Sequence, residues 1–437
     1  MKNIVLKRKP LGNKRFAWKQ KEFILSTFSC QAEDMDLAIK NLKEAGFNLV
    51  ELGWATHEQA WTASDMCEKH GLDLVFQDMS LFGGTMDDFN IKPRPEEEIR
   101  KVAEEIKKRK HTIGYYVWDE PYVDEQFAEA RRQSDILLKY DPEALMFTVF
   151  LPSYNPEPTW ENGQYAARFE EYVKRLDPPV LSFDFYPYGD CCEIYPGFMY
   201  DEEKQLDDSV MWLDLSLAKK LAEKYDLPFW FYYQSESGLY NSQKLTFPMI
   251  QVGMYIAVMY GAKGLQNYQA ADRYNKGNLI QWSGEKGPYF EETKNAHRIF
   301  KNLGNTLMAL NSKLVYHSDD VVPYGPHAEI YKGMDDSIAD SKILCGTLPK
   351  RTSVGELEDE YGNRYLMIVN RDVEKELDTT LPMQEAFRVY EVSKQTGAQE
   401  LVADSATELN VSLQPGEGML LRIQPVAQEA SLISYEL

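Results

Sequence analysis

Cysteine is scarce in this chain. Five residues, Cys30, Cys67, Cys191, Cys192 and Cys345, are scattered over 437 positions. That count and spacing exclude a small disulfide-stapled fold and a zinc ribbon. The adjacent Cys191 and Cys192 invite a strained vicinal disulfide, although two ordinary loop thiols are the simpler reading. Positive charge is also in deficit: 48 Lys and Arg face 69 Asp and Glu, for a net charge of -21. A surface this acidic repels phosphate backbones and anionic lipid, which argues against nucleic acid and charged membranes as partners. No apolar run is long enough to span a bilayer. The basic start, MKNIVLKRKPLGNKRF, lacks the apolar core of a signal peptide. The compartment is therefore open: cytoplasm, or periplasm or exterior with a signal removed. Oligomeric state is equally open.

What the chain has in abundance is aromatic side chains, 27 Tyr and 20 Phe among them, within a composition that is globular. From residue 22 to about residue 311 two patterns alternate. Short β-branched and aromatic runs, FILSTFS, NLVELGW, LDLVFQD, TIGYYVWDEP, ALMFTVFLP, VLSFDFYPY, PFWFYYQSES and GLQNYQA, are each followed by a stretch of helical periodicity. Eight such units predict a closed parallel (β/α)8 barrel. An open doubly wound sheet is the alternative, but its first turn is normally glycine-rich, whereas SCQAEDMD here has no glycine. After Leu310 the periodicity shortens to alternating runs, RYLMIVNRD, FRVYEVSK, TELNVSL and GMLLRIQP, with turns at Tyr361-Gly362-Asn363 and Gln414-Pro415-Gly416. The reading is α/β: a barrel over residues 1–311, then a small all-β sandwich over 312–437.

In a parallel barrel chemistry sits where strands hand over to the following loops. The polar residues there are Thr27 and Ser29, Glu51 and Trp54, Gln77 and Asp78, Asp119 and Glu120, and Tyr154 after Pro152. Asp184, Tyr186 and Tyr188 follow, then Gln234 and Glu236, and Gln266, Asn267 and Tyr268. None of the six histidines (His57, His70, His111, His297, His317, His327) ends a predicted strand, so a His-ligated hydrolytic metal is not expected. No strand-end lysine is available for a Schiff base, since Lys263 precedes the last barrel strand. The loops GLYNSQ and ADRYNKGN make no phosphate cradle. Carboxylates with aromatic rings remain, and that pairing suits acetal cleavage. One acid protonates the leaving oxygen, one carboxylate attacks or activates water, and flat rings stack on sugar faces.

In these features the chain resembles the superfamily of retaining (β/α)8 glycoside hydrolases, with no single family singled out. The resemblance rests on Trp118-Asp119-Glu120-Pro121 at strand four and Ser235-Glu236-Ser237-Gly238 at strand seven. YIAVMYGAKGLQNYQ and the C-terminal LQPGEGMLLRI add to it. It implies Glu120 as acid/base, Glu236 as nucleophile and a C-terminal β-sandwich. One departure stands out: Asp119 occupies the place where these enzymes usually carry an asparagine, and an ionised Asp accepts hydrogen bonds but does not donate them. Strand alternation is expected to send Asp119 and Glu120 to opposite sides, with Glu120 facing the mouth.

Each assignment has a plainer rival. Glu120 as a mere acceptor for loop amides, Gln234 rather than Glu236 as the inward-pointing residue, and Glu51 as a structural salt bridge rather than a sugar ligand are those rivals. Trp54, Trp118, Trp160 and Trp282 are candidate stacking platforms, yet for any one of them packing is the commoner role. The resulting expectation is a retaining glycosidase acting on a neutral oligo- or polysaccharide, with no cofactor and no metal. Asp119, Asp184, Tyr186, Tyr188, Gln234, Asn267, Trp54 and Trp282 are its substrate contacts. The alternative is a non-catalytic carbohydrate-binding barrel; a lyase or transglycosylase using the same acids is a third reading.

Overall fold

The computed structural model describes residues 20, 22–28, 31–88, 91–154, 164–188, 202–236, 245–271, 279–323 and 336–426. Ser29, Cys30, Trp160, Cys191, Cys192, Ser237, Gly238 and His327 lie outside them, so the vicinal cysteines and the second half of the Ser-Glu-Ser-Gly motif are not described.

Eight strands alternate with eight helices as expected: β1 (Ile24–Phe28), α1 (Met35–Glu44), β2 (Leu49–Glu51), α2 (His57–His70), β3 (Asp73–Phe76) and α3 (Glu96–Ile106). Then come β4 (Thr112–Asp119), α4 (Asp124–Tyr140), β5 (Leu145–Val149), α5 (Gln164–Leu176), β6 (Leu181–Asp184) and α6 (Met211–Tyr225). The series ends with β7 (Phe229–Gln234), α7 (Phe247–Met259), β8 (Gly264–Tyr268) and α8 (Phe290–Ala309). The strands pair in parallel in the order β5-β4-β3-β2-β1-β8-β7-β6. A single bridge between Phe150 and Phe183, with Phe150 N–H donating to Ser182 O at 2.9 Å, joins β5 to β6 and closes the ring. These runs are apolar on both faces because one face meets the helices and the other fills the barrel.

The interior is packed, not hollow. Ile24, Phe28, Leu49, Val75, Tyr116, Phe147, Trp230 and Tyr232 form one buried cluster. Glycine is required where backbone and rings approach: a Cβ on Gly264 would sit 2.8 Å from the Trp230 ring, and one on Gly114 only 2.1 Å from Leu145 O. Register shifts at Leu74/Val75 and Tyr116/Trp118 mark β4 as bulged on both sides.

The chain divides into two compact units. The first holds all eight barrel strands: residues 1–186, 220–239 and 264–297. The second comprises residues 187–219, 240–263 and 298–437. Within it, β9 (Asn311–His317), β10 (Thr352–Glu358), β11 (Arg364–Asn370), β12 (Leu377–Val392), β13 (Gln399–Leu413) and β14 (Gly418–Pro425) form an antiparallel sheet in the order β13-β12-β14-β11-β10-β9. Long β12 and β13 are broken by register shifts between Pro382 and Tyr390. Such irregularities let one strand bend across a core. Leu377, Leu381 and Leu413 thereby reach the cluster that also holds Val354, Ile368, Leu421 and Ile423. Buried Arg371 pairs with Asp207 at 2.7 Å and Asp320 at 3.1 Å, an ion network inside this unit.

Gly114→Ala forces β4 away from β5 and should destabilise the protein by about 2 kcal/mol or more. Thermal unfolding of the variant checks this.

Candidate active site

Parallel strands present all their C-terminal ends at one rim. There, β4 and β6 deliver three carboxyl groups. Asp119, the last residue of β4, accepts a hydrogen bond from Trp54 Nε1 at 2.9 Å and another from the Tyr116 hydroxyl. Glu120 follows with φ +48°, in the left-handed region, an uncommon setting for a residue with a side chain. That turn of the backbone breaks the strand alternation. Asp119 and Glu120 both lie within electrostatic reach of Asp184 at the end of β6. Tyr186, two residues on, belongs to the same electrostatic cluster as Asp184 and Glu120.

No cation among the described residues sets the charge of this cluster; its partners are acids and phenols. Loss of water is the main reason that Asp119 is pushed up to about 6, against the donated hydrogen bonds of Tyr116 and Trp54. Asp184 rises to about 7, through burial and then the Asp119 charge. Glu120 rises well above the ordinary carboxyl range, through burial and then the charges of Asp184 and Asp119. Glu120 is thus the acid of the three pushed furthest toward its protonated form.

Aromatic rings wall this cluster. Phe28 lies edge-on to Trp54 at 5.2 Å and Tyr116 at 5.9 Å, and stacks on Tyr268 at 5.5 Å. Tyr268 in turn lies 4.6 Å from Tyr186. Trp54 is 46% exposed, the most exposed ring of this group. Its own left-handed backbone (φ +56°) is held by Gln77 Oε1, which accepts from Trp54 N–H at 2.7 Å.

Glu236 lies two residues past β7, fully buried, and its Oε2 accepts from Gln269 Nε2 at 3.0 Å. Gln234 donates to the Glu236 carbonyl at 3.3 Å, and Ser235 N–H to Tyr268 O at 2.8 Å, so the turn is pinned to β8.

Several expected residues are placed elsewhere. Asn267 is bonded to Thr27 at 3.1 Å and to the Tyr233 hydroxyl at 3.3 Å. Tyr233 meets His297 of α8, so Asn267 and Thr27 face the helix layer, while Gln266 and Tyr268 on either side face inward. Tyr188 belongs to the second unit, where its hydroxyl donates to Met249 O at 2.9 Å. Trp118 is buried and anchors the preceding loop through Thr85 O at 3.1 Å. Asp78 bonds His57 at 2.6 Å and Ser80. Trp282 is half-buried in the stretch before α8, its carbonyl accepting from Glu33 N–H at 2.7 Å. Glu51 is not the salt bridge expected: its buried carboxyl accepts from Tyr232 at 2.5 Å and Gln266 at 2.7 Å, and burial raises it to about 7. Phe28, Tyr116 and Gln269 were not anticipated. Tyr116 and Gln269 were legible only as members of strand runs, and nothing in sequence spacing ties them to acids on other strands.

No protein-family profile and no curated protein sequence matches the chain. Among solved structures, one described as a glycoside hydrolase aligns over 98% of both chains with 11% identity and a TM-score of 0.55. A glycoside hydrolase family 5 structure from Bacteroides vulgatus ATCC 8482 covers 98% of this chain and 94% of its own, at 12% identity and TM-score 0.54. At such identities the likeness carries the fold: an eight-stranded parallel barrel followed by a separate antiparallel sheet.

Asp119, Asp184 and Glu51 bind protons more tightly folded than unfolded, so their contribution is complete below about pH 4 and is lost as pH rises toward 7. Exposed Glu44 and Glu170, held down to about 2 by lysines, titrate below that window. The melting temperature should therefore fall between about pH 4.5 and pH 7, and Glu51→Gln should make the decline shallower; calorimetry across pH reads both.

Proposed function

We propose that the protein is a glycosidase that cleaves neutral glycosides with retention of configuration. The observation that carries this reading is the group of acids, Asp119, Glu120 and Asp184, at the ends of β4 and β6 beside a wall of aromatic rings, where burial raises Glu120 well above the ordinary carboxyl range. A carboxylic acid still protonated near neutrality is what departure of a poor leaving group requires. Glu120 donates that proton to the glycosidic oxygen as the C–O bond breaks. Glu236, three strand positions from Glu120 around the ring, uses its carboxylate to attack the anomeric carbon and form a glycosyl ester. Water then attacks the anomeric carbon as Glu120 takes its proton, and the bond from that carbon to the Glu236 oxygen breaks to release the carboxylate. Bonds and protons balance over the two steps with no redox change.

The surrounding residues fit this assignment. Exposed Trp54 offers a flat face to a sugar ring, and its indole N–H is already occupied by Asp119. Asp184 and Gln234 supply polar lining, and Tyr186 steadies Asp184. Acids without a paired cation disfavour uronides and sulfated sugars, which is why a neutral substrate is the better choice.

A second reading, a barrel that binds oligosaccharide without cleaving it, draws on Asp119 standing where the resembling enzymes carry asparagine. Glu120→Gln and Glu236→Gln should each lower kcat/KM on aryl glycosides by about 100-fold or more. Glu120→Gln should lose less on a dinitrophenyl glycoside, whose leaving group needs no proton. Proton NMR of the first product should show the substrate's anomeric configuration. A wild-type protein that turns over no glycoside of a broad panel yet binds oligosaccharide in calorimetry favours the second reading.

A further inference from the structure

We infer that Asp119 is a positioning residue for Trp54. Its two oxygens hold the indole N–H and the Tyr116 hydroxyl, and the ring so fixed is the platform on which the C–H face of a pyranose rests. This rests on the carbohydrate-binding half of the proposed function, and it moves Asp119 from the substrate contacts to the support beneath one.

Trp54 follows β2 and Asp119 ends β4, with β3 between them in the ring. Two ties span that gap. Through the side chain, Trp54 Nε1 donates to Asp119 Oδ2 at 2.9 Å. Through the backbone, Trp54 N–H donates to Gln77 Oε1 at 2.7 Å, and Gln77 Nε2 donates to the Tyr116 carbonyl at 3.1 Å. Phe28 packs on the indole in a T-shaped contact at 5.2 Å. An exposed indole ordinarily turns about two side-chain torsions. This one is held at its N–H, at its backbone and on one flank, and is still 46% exposed. Its left-handed backbone is unfavourable for a residue with a side chain and persists where the surroundings over-determine it. A ring already immobilised lowers the ordering cost for a ligand that stacks on it.

The donors explain why an acid stands here. Asp119 is 5% exposed, and an N–H and an O–H converge on it: the indole bonds Oδ2 while the Tyr116 hydroxyl bonds Oδ1. Each donor has its own oxygen. An asparagine offers one oxygen, and its NH2 would meet one of the two donors. The indole is the less forgiving of the pair, because it only donates, whereas a phenol can turn to accept. The Asp119 N–H is itself spent on Gly84 O at 2.9 Å. The residue that stands where the resembling enzymes carry asparagine is thus committed to the wall. With each oxygen accepting from a protein donor, it bears on the sugar through Trp54. A ring that only roofed the acid would serve in many orientations, whereas the Gln77 tie and the Asp119 bond together select one.

The test reads the indole N–H signals of the eight tryptophans by nitrogen–proton NMR, with Trp54 assigned by its loss in Trp54→Phe. In Asp119→Ala the Trp54 signal should shift and exchange with solvent about tenfold faster or more, and Asp119→Asn should fall between, since one oxygen remains. Sugar binding is then measured by calorimetry in a Glu236→Gln background, which prevents turnover. The probes are neutral hexasaccharides of glucose, mannose, xylose and galactose. Trp54→Ala should weaken the tightest of them about tenfold. Asp119→Ala should weaken it nearly as much, and the double variant no more than Trp54→Ala alone. Asp119→Asn carries the same cycle should Asp119→Ala fail to fold. Losses that add make Asp119 a sugar ligand in its own right and overturn the assignment. So does a Trp54 signal that stays put in the folded Asp119 variants, or one that no hexasaccharide moves. Coupled losses in a protein whose wild type cleaves no glycoside uphold the platform and remove only the hydrolase reading.

Discussion

Withholding water from acids is the constraint on which this site depends. Three carboxyl groups, Asp119, Glu120 and Asp184, crowd the rim with no cation among their described partners. Burial costs an ionised carboxylate far more than a protonated one, so the cluster keeps a proton where an exposed surface would lose it. The aromatic wall of Phe28, Trp54, Tyr186 and Tyr268 is what excludes the solvent. The same phenols and the Trp54 indole supply neutral donors, which temper the acids without cancelling them.

The barrel was legible because its strands are buried on both faces and read as unbroken apolar runs. All eight were located, each ending a few residues sooner than its run. In the second unit's sheet the runs RYLMIVNRD, FRVYEVSK, TELNVSL and GMLLRIQP mark β11, the end of β12, the end of β13 and β14. β11 and β14 stand out as apolar runs, but β9, with Asn311, Ser312 and Lys313, and β10, with Gly355 amid polar neighbours, carry too little apolar signal. Their burial is set by partners distant in sequence, Met259 beside Gly355 among them.

The candidate site was legible in its membership and illegible in its facing. Asp119, Glu120, Asp184 and Glu236 follow from counting strands and reading their ends. Which way each points does not. The bulges in β4 and the left-handed backbone of Glu120 interrupt the regular pleat from which a facing is read. On β8, alternation does hold, and it sends Gln266 and Tyr268 inward and Asn267 out. Partner choice, such as Glu51 with Tyr232 and Gln266, is set by the ring's closure and has no local sequence signal.

That closure has a consequence of its own. The joint between β5 and β6 is held by one bridge at Phe150 and Phe183, where neighbouring joints have full ladders. Asp184 stands at the end of β6, on one side of this seam, and Glu120 follows β4, one strand back from its other side. Asp184 thus sits beside the joint of the wall with the fewest backbone hydrogen bonds, the place where local opening costs least.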